Sequence, residues 1–258
     1  MADLHSVALA DIVAYAETLL TPSLFKDYDG AQNGLQFENL GRVHRIAAAV
    51  DGTLPVARKA TAAGCDLLLV HHGLFWNRSF PWTGRRAELI RHLVRSELAV
   101  YSQHLPLDGH PEIGNAAVLA RLLGFTSWQP FFLREGRAIG VQVEAPDGMG
   151  REELAARLAD ITGTVPTTLP GGSSVCRRIG ICTGGAGAEL PQAASEGVDT
   201  FITGEGPHWS YALAEDLGIN AFYAGHYATE TFGVRALAES ISQRFNLPWE
   251  FVDHPTGL

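Results

Sequence analysis

The sequence predicts a three-layer α/β/α protein built from two internally repeated lobes with largely parallel or mixed sheets, and three observations predict it. Apolar strands of the buried type alternate with segments of helical period. A strand–helix–strand block recurs once at constant spacing. Polar residues able to do chemistry fall at the ends of the apolar strands rather than within them.

In chain order, ALADIVAYAETLL (8–20) places apolar side chains at helical spacing until Thr21-Pro22 stops the pattern, and a second short amphipathic stretch follows. RIAAAVD (45–51) reads as a buried strand, PVARKATAAG (55–64) as a helix ended by Gly64, and DLLLVHH (66–72) as the next buried strand. Helical spacing returns in RRAELIRHLVRSE (85–97), LAVYSQH (98–104) reads as a strand, and NAAVLARLLG (115–124) as a helix closed by glycine. Beyond it lie a strand, AIGVQVEA (138–145), a helix, REELAARLADITG (151–163), and a Pro/Gly-rich connection, VPTTLPGGSS (165–174). The junction is placed in this region, giving a first lobe over 1–126 and a second over 127–258.

Residues 45–73 align without a gap on residues 178–206, at an offset of 133. Arg45 meets Arg178, Ile46 meets Ile179, Gly52 meets Gly185, Gly64 meets Gly197, Asp66 meets Asp199 and Gly73 meets Gly206. Further on, VYSQHLPLD (100–108) lies over FYAGHYATE (222–230), pairing Tyr101 with Tyr223, His104 with His226 and Asp108 with Glu230. Agreement at polar positions, which generic βαβ packing does not dictate, points to duplication.

Composition narrows the partners. The chain of 258 residues is 46% hydrophobic and 18% charged, with 19 basic against 28 acidic residues and a net charge of -9. No run of five like charges occurs, which disfavours nucleic acid as a partner. Cys65, Cys176 and Cys182 form no CxxC pair and suggest a reducing compartment. Asp3, His5 and Asp11 interrupt any signal-peptide core, and no apolar run approaches the roughly 20 residues of a membrane span, so a cytoplasmic protein without membrane association is expected.

Ligands of open parallel sheets bind beyond the carboxyl ends of the strands. There the sequence puts His71 and His72 on one strand, His104 on another with Asp108 after it, and His226 on a third with Glu230 four residues on. Consecutive histidines of a strand point to opposite faces, so His71 and His72 do not easily chelate one ion but can serve two neighbouring ions if the strand twists or ends between them. Pro106 is expected to prevent a regular helix between His104 and Asp108, whereas HYATETFGVRALAESI permits a helix from about His226 that stacks His226 and Glu230 on one face. Imidazole and carboxylate without thiolate suit zinc, manganese, iron(II) or nickel, and Glu230 is the candidate bridge between two divalent ions roughly 3.5 Å apart. The candidate metal ligands are therefore His71, His72, His104, Asp108, His226 and Glu230.

Glu205 is the catalytic candidate, either as a general base toward water or as the group that orients His226. TGGAG (183–187) matches no phosphate-loop pattern and reads as a tight turn. His110 and His208 lie near enough to the expected site to touch a substrate. Trp76, Phe80 and Trp82 wall a cavity or pack a protomer interface, of which the interface is expected.

NGLQ (33–36), GCDLLLVHHGLFW (64–76), HLPLDGHPEIGNAAVLARLLG (104–124), CTGGAG (182–187), VDTFITGE (198–205) and AGHYATETFGVRAL (224–237) together resemble the Nif-three-like family, the GTP cyclohydrolase type 2 homologues, along essentially the whole chain. The resemblance implies a dinuclear metal site on His71, His72, Asp108, His226 and Glu230 with His104 lining it. It also implies a homo-oligomer, a ring-like hexamer, in the short bacterial-type form without an inserted domain. Two function classes follow: a metal-dependent hydrolase of a nucleotide, phosphoester or cyclic amide, or a metal-binding, metal-delivery or assembly protein without catalysis. Opening the guanine ring of GTP needs a purine pocket and a triphosphate clamp, for which only Arg78, Arg85 and Arg235 lie near the ligands in sequence.

Overall fold

The computed structural model, which describes residues 5–76 and 81–258, alternates strands and helices largely as the apolar pattern requires. The chain opens with β1 (Val7–Ala8), α1 (Leu9–Leu20), β2 (Gly34–Phe37), β3 (Arg42–Val43), β4 (Ile46–Asp51) and α2 (Leu54–Ala62). It continues through β5 (Leu67–His72), α3 (Gly84–Ser96), β6 (Ala99–Ser102), α4 (Leu105–Asp108) and α5 (Asn115–Leu122). Next come β7 (Gln129–Arg134), β8 (Arg137–Gly150), α6 (Arg151–Thr162), β9 (Thr167–Pro170), β10 (Val175–Ile181) and α7 (Leu190–Ser195). The last elements are β11 (Thr200–Thr203), α8 (Ser210–Leu217), β12 (Asn220–Tyr223), α9 (His226–Phe245) and β13 (Trp249–Phe251).

These elements form two compact units, Met1–Leu107 with Gly233–His254 and Asp108–Phe232 with Pro255–Leu258. The boundary expected at 126/127 therefore falls earlier, for a packing reason: Ala116, Ala117, Leu119 and Ala120 of α5 are buried in one core with Val141, Val143, Ile179 and Ile181 of the second unit's sheet. The C-terminal strand returns to the first unit because Trp249–Phe251 pairs in parallel with Ile46–Ala48.

The first unit holds a five-stranded sheet in the order β13-β4-β5-β6-β2, parallel except for β2, which runs against β6. Alternate residues of β4 and β5 are buried on both faces, which is why these strands read as unbroken apolar runs. One face packs α2 and α3 through Val56, Ala57, Ala60, Leu89 and Leu93. The second unit holds a mixed six-stranded sheet in the order β7-β8-β10-β11-β12-β9, whose β10, β11 and β12 are parallel. The Pro/Gly-rich connection turns out to contain an edge strand, β9, antiparallel to β12 and closed by Pro170, a place where a missing N–H is tolerated.

Strand register tests the duplication. Ile46 stands opposite Leu67 in the first unit and Ile179 opposite Thr200 in the second, the same pairing at the same offset. The shared aspartates also act alike, since Asp66 accepts the backbone N–H groups of His44 and Arg45, and Asp199 those of Arg177 and Arg178. Each aspartate tethers the amino end of the neighbouring strand, so its retention needs no functional reason.

The second block needs a one-residue correction. Leu69 pairs with Tyr101, and Ile202, its equivalent, pairs with Phe222, so Tyr101 corresponds to buried Phe222 rather than to Tyr223. His104 and His226 are thus not strictly equivalent: His104 precedes α4, and His226 begins α9.

Candidate metal centre

The carboxyl ends of β5 and β6 gather three histidines within the first unit. β6 stops pairing with β5 at Val70–Ser102, so His71 and His72 overhang their neighbour. The opposite-faces expectation fails there. The two rings lie 4.9 Å apart, His104 lies 4.9 Å from His71 and 5.7 Å from His72, and one donor nitrogen of each of the three falls within 4.8 Å of the others.

Every one of these rings is held at Nδ1. His71 Nδ1 is 3.0 Å from the carbonyl oxygen of Gln103, His72 Nδ1 is 2.9 Å from Asp51 Oδ1, and His104 Nδ1 is 2.7 Å from Asp27 Oδ1. An N–H donated at Nδ1 fixes the tautomer that makes Nε2 the lone-pair donor, the arrangement typical of metal-binding histidine. The donor set therefore fits a divalent ion.

Asp27 and Asp51 were not singled out by sequence. Asp51 did leave a signal, a carboxylate at the end of an apolar strand. Asp27 lies in irregular chain where no periodicity exists to break. Around them, Asn33 Oδ1 accepts the backbone N–H of His104, and Gln36 Oε1 accepts that of Leu74, which explains the NGLQ segment. Gly73 follows from the same contact, since a side chain there would overlap Gln36.

Trp76 packs beside His104 and His72, with ring centroids 4.7 and 5.5 Å away, so it borders the histidines, and Trp82 pairs with Phe75 at 5.9 Å. Phe80 and Arg78 lie outside the described residues. Arg235 stacks 3.5 Å over the ring of Phe251.

In the second unit α9 begins at His226, as expected, so His226 and Glu230 share a helix face. His226 Nδ1 is 2.7 Å from Glu205 Oε1 and its Nε2 is 3.2 Å from Glu230 Oε2. Glu205 thus grips His226 as the carboxylates of the first unit grip their histidines. Glu230 is almost wholly buried. Gly184 gives it room: the residue has φ of 71°, and a Cβ there would strike the Glu230 carboxylate.

Asp108 closes α4, a single helical turn that does form despite Pro106, because proline in a first turn sacrifices no intrahelical bond. Its Oδ1 accepts from Asn115 Nδ2 at 2.8 Å. The TGGAG segment is a tight turn. Its Gly184 carbonyl accepts from the Thr203 hydroxyl and from the Gly204 and Glu205 amides, while the Gly184 and Ala186 amides go to the Thr229 and Thr203 hydroxyls. His110 accepts the amides of Glu112 and Ile113 and is a turn-capping residue, whereas His208 is exposed.

Electrostatics follow from this enclosure. Burial alone would lower the pKa of His226, but Glu230 and Glu205 outweigh it and raise the value from 6.5 to about 9. Burial would raise that of Asp27, but the bonds from His104 and Asn33 outweigh it and bring it from 3.8 to about 2. Burial and the nearby charges of Asp108, Glu189 and Glu230 push the Cys182 thiol well up, so it stays neutral.

In metal-free protein the His226 contribution to stability is complete below its unfolded pKa of 6.5 and disappears as pH rises through about 9. The Asp27 contribution is complete above 3.8 and disappears as pH falls through about 2. Urea unfolding of chelator-treated protein across the alkaline window is expected to lose on the order of 2 kcal/mol, discounted for screening at half-exposed Glu205. The same loss in His226→Gln would assign it elsewhere.

Comparison with known proteins converges on one family. The profile described as Duf34/NIF3 (NGG1p interacting factor 3) matches residues 7–256. The "GTP cyclohydrolase 1 type 2 homolog" of Deinococcus radiodurans is 43% identical over 89% of this chain and 88% of its own length. The protein of the same name from Halobacterium salinarum is 44% identical over 90% and 93%. The crystal structure of TTHA1606 from Thermus thermophilus superposes with a TM-score of 0.90 at 38% identity, covering 98% of this chain and all of that one. Among the described residues, no helix is long and apolar enough to cross a membrane.

Proposed function

This chain belongs to the DUF34/NIF3 family, and on that premise we propose that it holds two divalent metal ions and hydrolyses a small nucleotide, phosphoester or cyclic amide. The ligands in this reading are His71, His72, Asp108, His226 and Glu230, with His104 beside them. The observation that carries it is the Nδ1 tether on each of the four histidines, to Gln103 O, Asp51, Asp27 and Glu205. Four separate acceptors placed behind four imidazoles at strand ends serve ligation better than they serve packing.

When bound, divalent ions would supply Lewis acidity at a phosphoryl or carbonyl oxygen and lower the pKa of water. The protein's own contribution is orientation. Glu205, Asp51 and Asp27 fix ring tautomers, and Glu230 is set on α9 by the space that Gly184 leaves. The ion class is zinc, manganese, iron(II) or nickel. A hexamer of this chain in the cytoplasm completes the proposal, with assembly read by light scattering.

The test is turnover of nucleotides, phosphodiesters and cyclic amides by metal-loaded protein, with formate release from GTP as one arm. His72→Ala is expected to cut the rate about 100-fold or more. Equal rates in the two proteins would remove the hydrolase reading. Absence of turnover with rapid ion transfer to an acceptor protein would replace it with metal delivery.

A further inference from the structure

Asp27 sits in the irregular segment between α1 and β2, and its side chain is only 6% exposed. Four donors converge on its carboxylate: the Tyr28 amide at 2.7 Å, Asn33 Nδ2 at 2.9 Å, the Leu105 amide at 3.1 Å and His104 Nδ1 at 2.7 Å. A buried carboxylate persists as the anion when its lone pairs are met in this way. Asn33 is the second half of the device, because its Oδ1 accepts the His104 backbone N–H at 2.8 Å while its amide is bound to Asp27. Backbone and ring of His104 are thereby fixed by one short segment, and rotation of the ring is blocked from the Nδ1 side.

The opposite nitrogen has a destination. With Nδ1 committed to Asp27, Nε2 is left as the lone-pair donor, and one ring nitrogen of His104 lies within 4.8 Å of one from each of His71 and His72. The ring is walled by Trp76 at 4.7 Å and Tyr28 at 5.6 Å, which limits its movement further. Three imidazoles, each backed by an acceptor, make a set carried entirely by the first unit.

We propose that His104 is a direct ligand of the ion held by His71 and His72, and that Asp27 is the positioning residue that presents it. The proposal rests on the metal-binding reading above, but it assigns a residue from outside the strand-end pattern to the centre. Asp27 works through His104 and touches neither ion nor substrate.

The experiment titrates full-length protein with Co²⁺, following uptake by calorimetry and the ligand field by visible absorption. Asp27→Ala is expected to weaken uptake about tenfold to hundredfold and to alter the cobalt bands, with Asp27→Asn between it and wild type. Asn39→Ala, which removes three hydrogen bonds of another loop in the same unit but none to Asp27 or to the three histidines, is expected to keep the wild-type spectrum. That contrast separates positioning from a merely structural role. Wild-type affinity and bands in Asp27→Asn overturn the proposal, even if Asp27→Ala fails to fold. Co²⁺ bound normally by wild type and by every variant defeats this inference alone, whereas no uptake by wild type defeats the metal-binding reading with it.

Discussion

Chelation of the metal-loaded protein is expected to lower its melting temperature by roughly 8–16 °C when the ion stood at about a thousandfold over its dissociation constant. Binding to the native state alone stabilises by about 4 kcal/mol at that saturation. A chain of this size shifts by roughly 2–4 °C for each kcal/mol. The reason for so large an effect lies in the tethered imidazoles, which are ordered by the fold and absent as a set in the unfolded chain. His71→Ala and His226→Ala, one in each unit, are each expected to remove a large part of the chelator-sensitive shift. Differential scanning calorimetry with and without chelator checks it, and a melting point indifferent to the ion would leave the donor set without a thermodynamic role.

Gly204→Ala is expected to destabilise the protein by about 3 kcal/mol, the upper range for overpacking. A Cβ at this position would stand 2.6 Å from the Gly184 carbonyl oxygen and 2.6 Å from His226 Cα. Both are backbone atoms, so no side chain can swing aside. The position is also stitched on both sides, with its N–H on the Gly184 carbonyl at 2.8 Å and its own carbonyl taking the Gly225 amide at 2.9 Å. The strain would fall on the start of α9, so loss of stability and of metal uptake should appear together. Denaturant unfolding within about 0.5 kcal/mol of wild type, the range of ordinary surface substitutions, would contradict this account of the TGE segment.

Much of the molecule is legible in order of residues alone. Apolar runs gave β4, β5 and β6 because sheets covered on both faces need no polar alternation, and helical spacing gave α1, α3 and α6. The offset of the repeat survived in strand register because Asp66 and Asp199 perform one local job within each copy. The slip between His104 and His226 was invisible, since an alignment scores identity and the register is decided by which residues of β6 and β12 are buried.

Residue types at strand ends determined the ligand candidates, because the carboxyl edge of a parallel sheet is a consequence of topology and topology follows from alternation. Tertiary structure alone decided the unit boundary, the approach of consecutive histidines, and the acceptors behind the rings of His71, His72 and His104. Those depend on contacts between residues far apart in the chain, Asp27 with His104 and Asp51 with His72, and on where a neighbouring strand stops. Local periodicity carries no record of such meetings, since they are fixed only when the cores close and the loops are held in place.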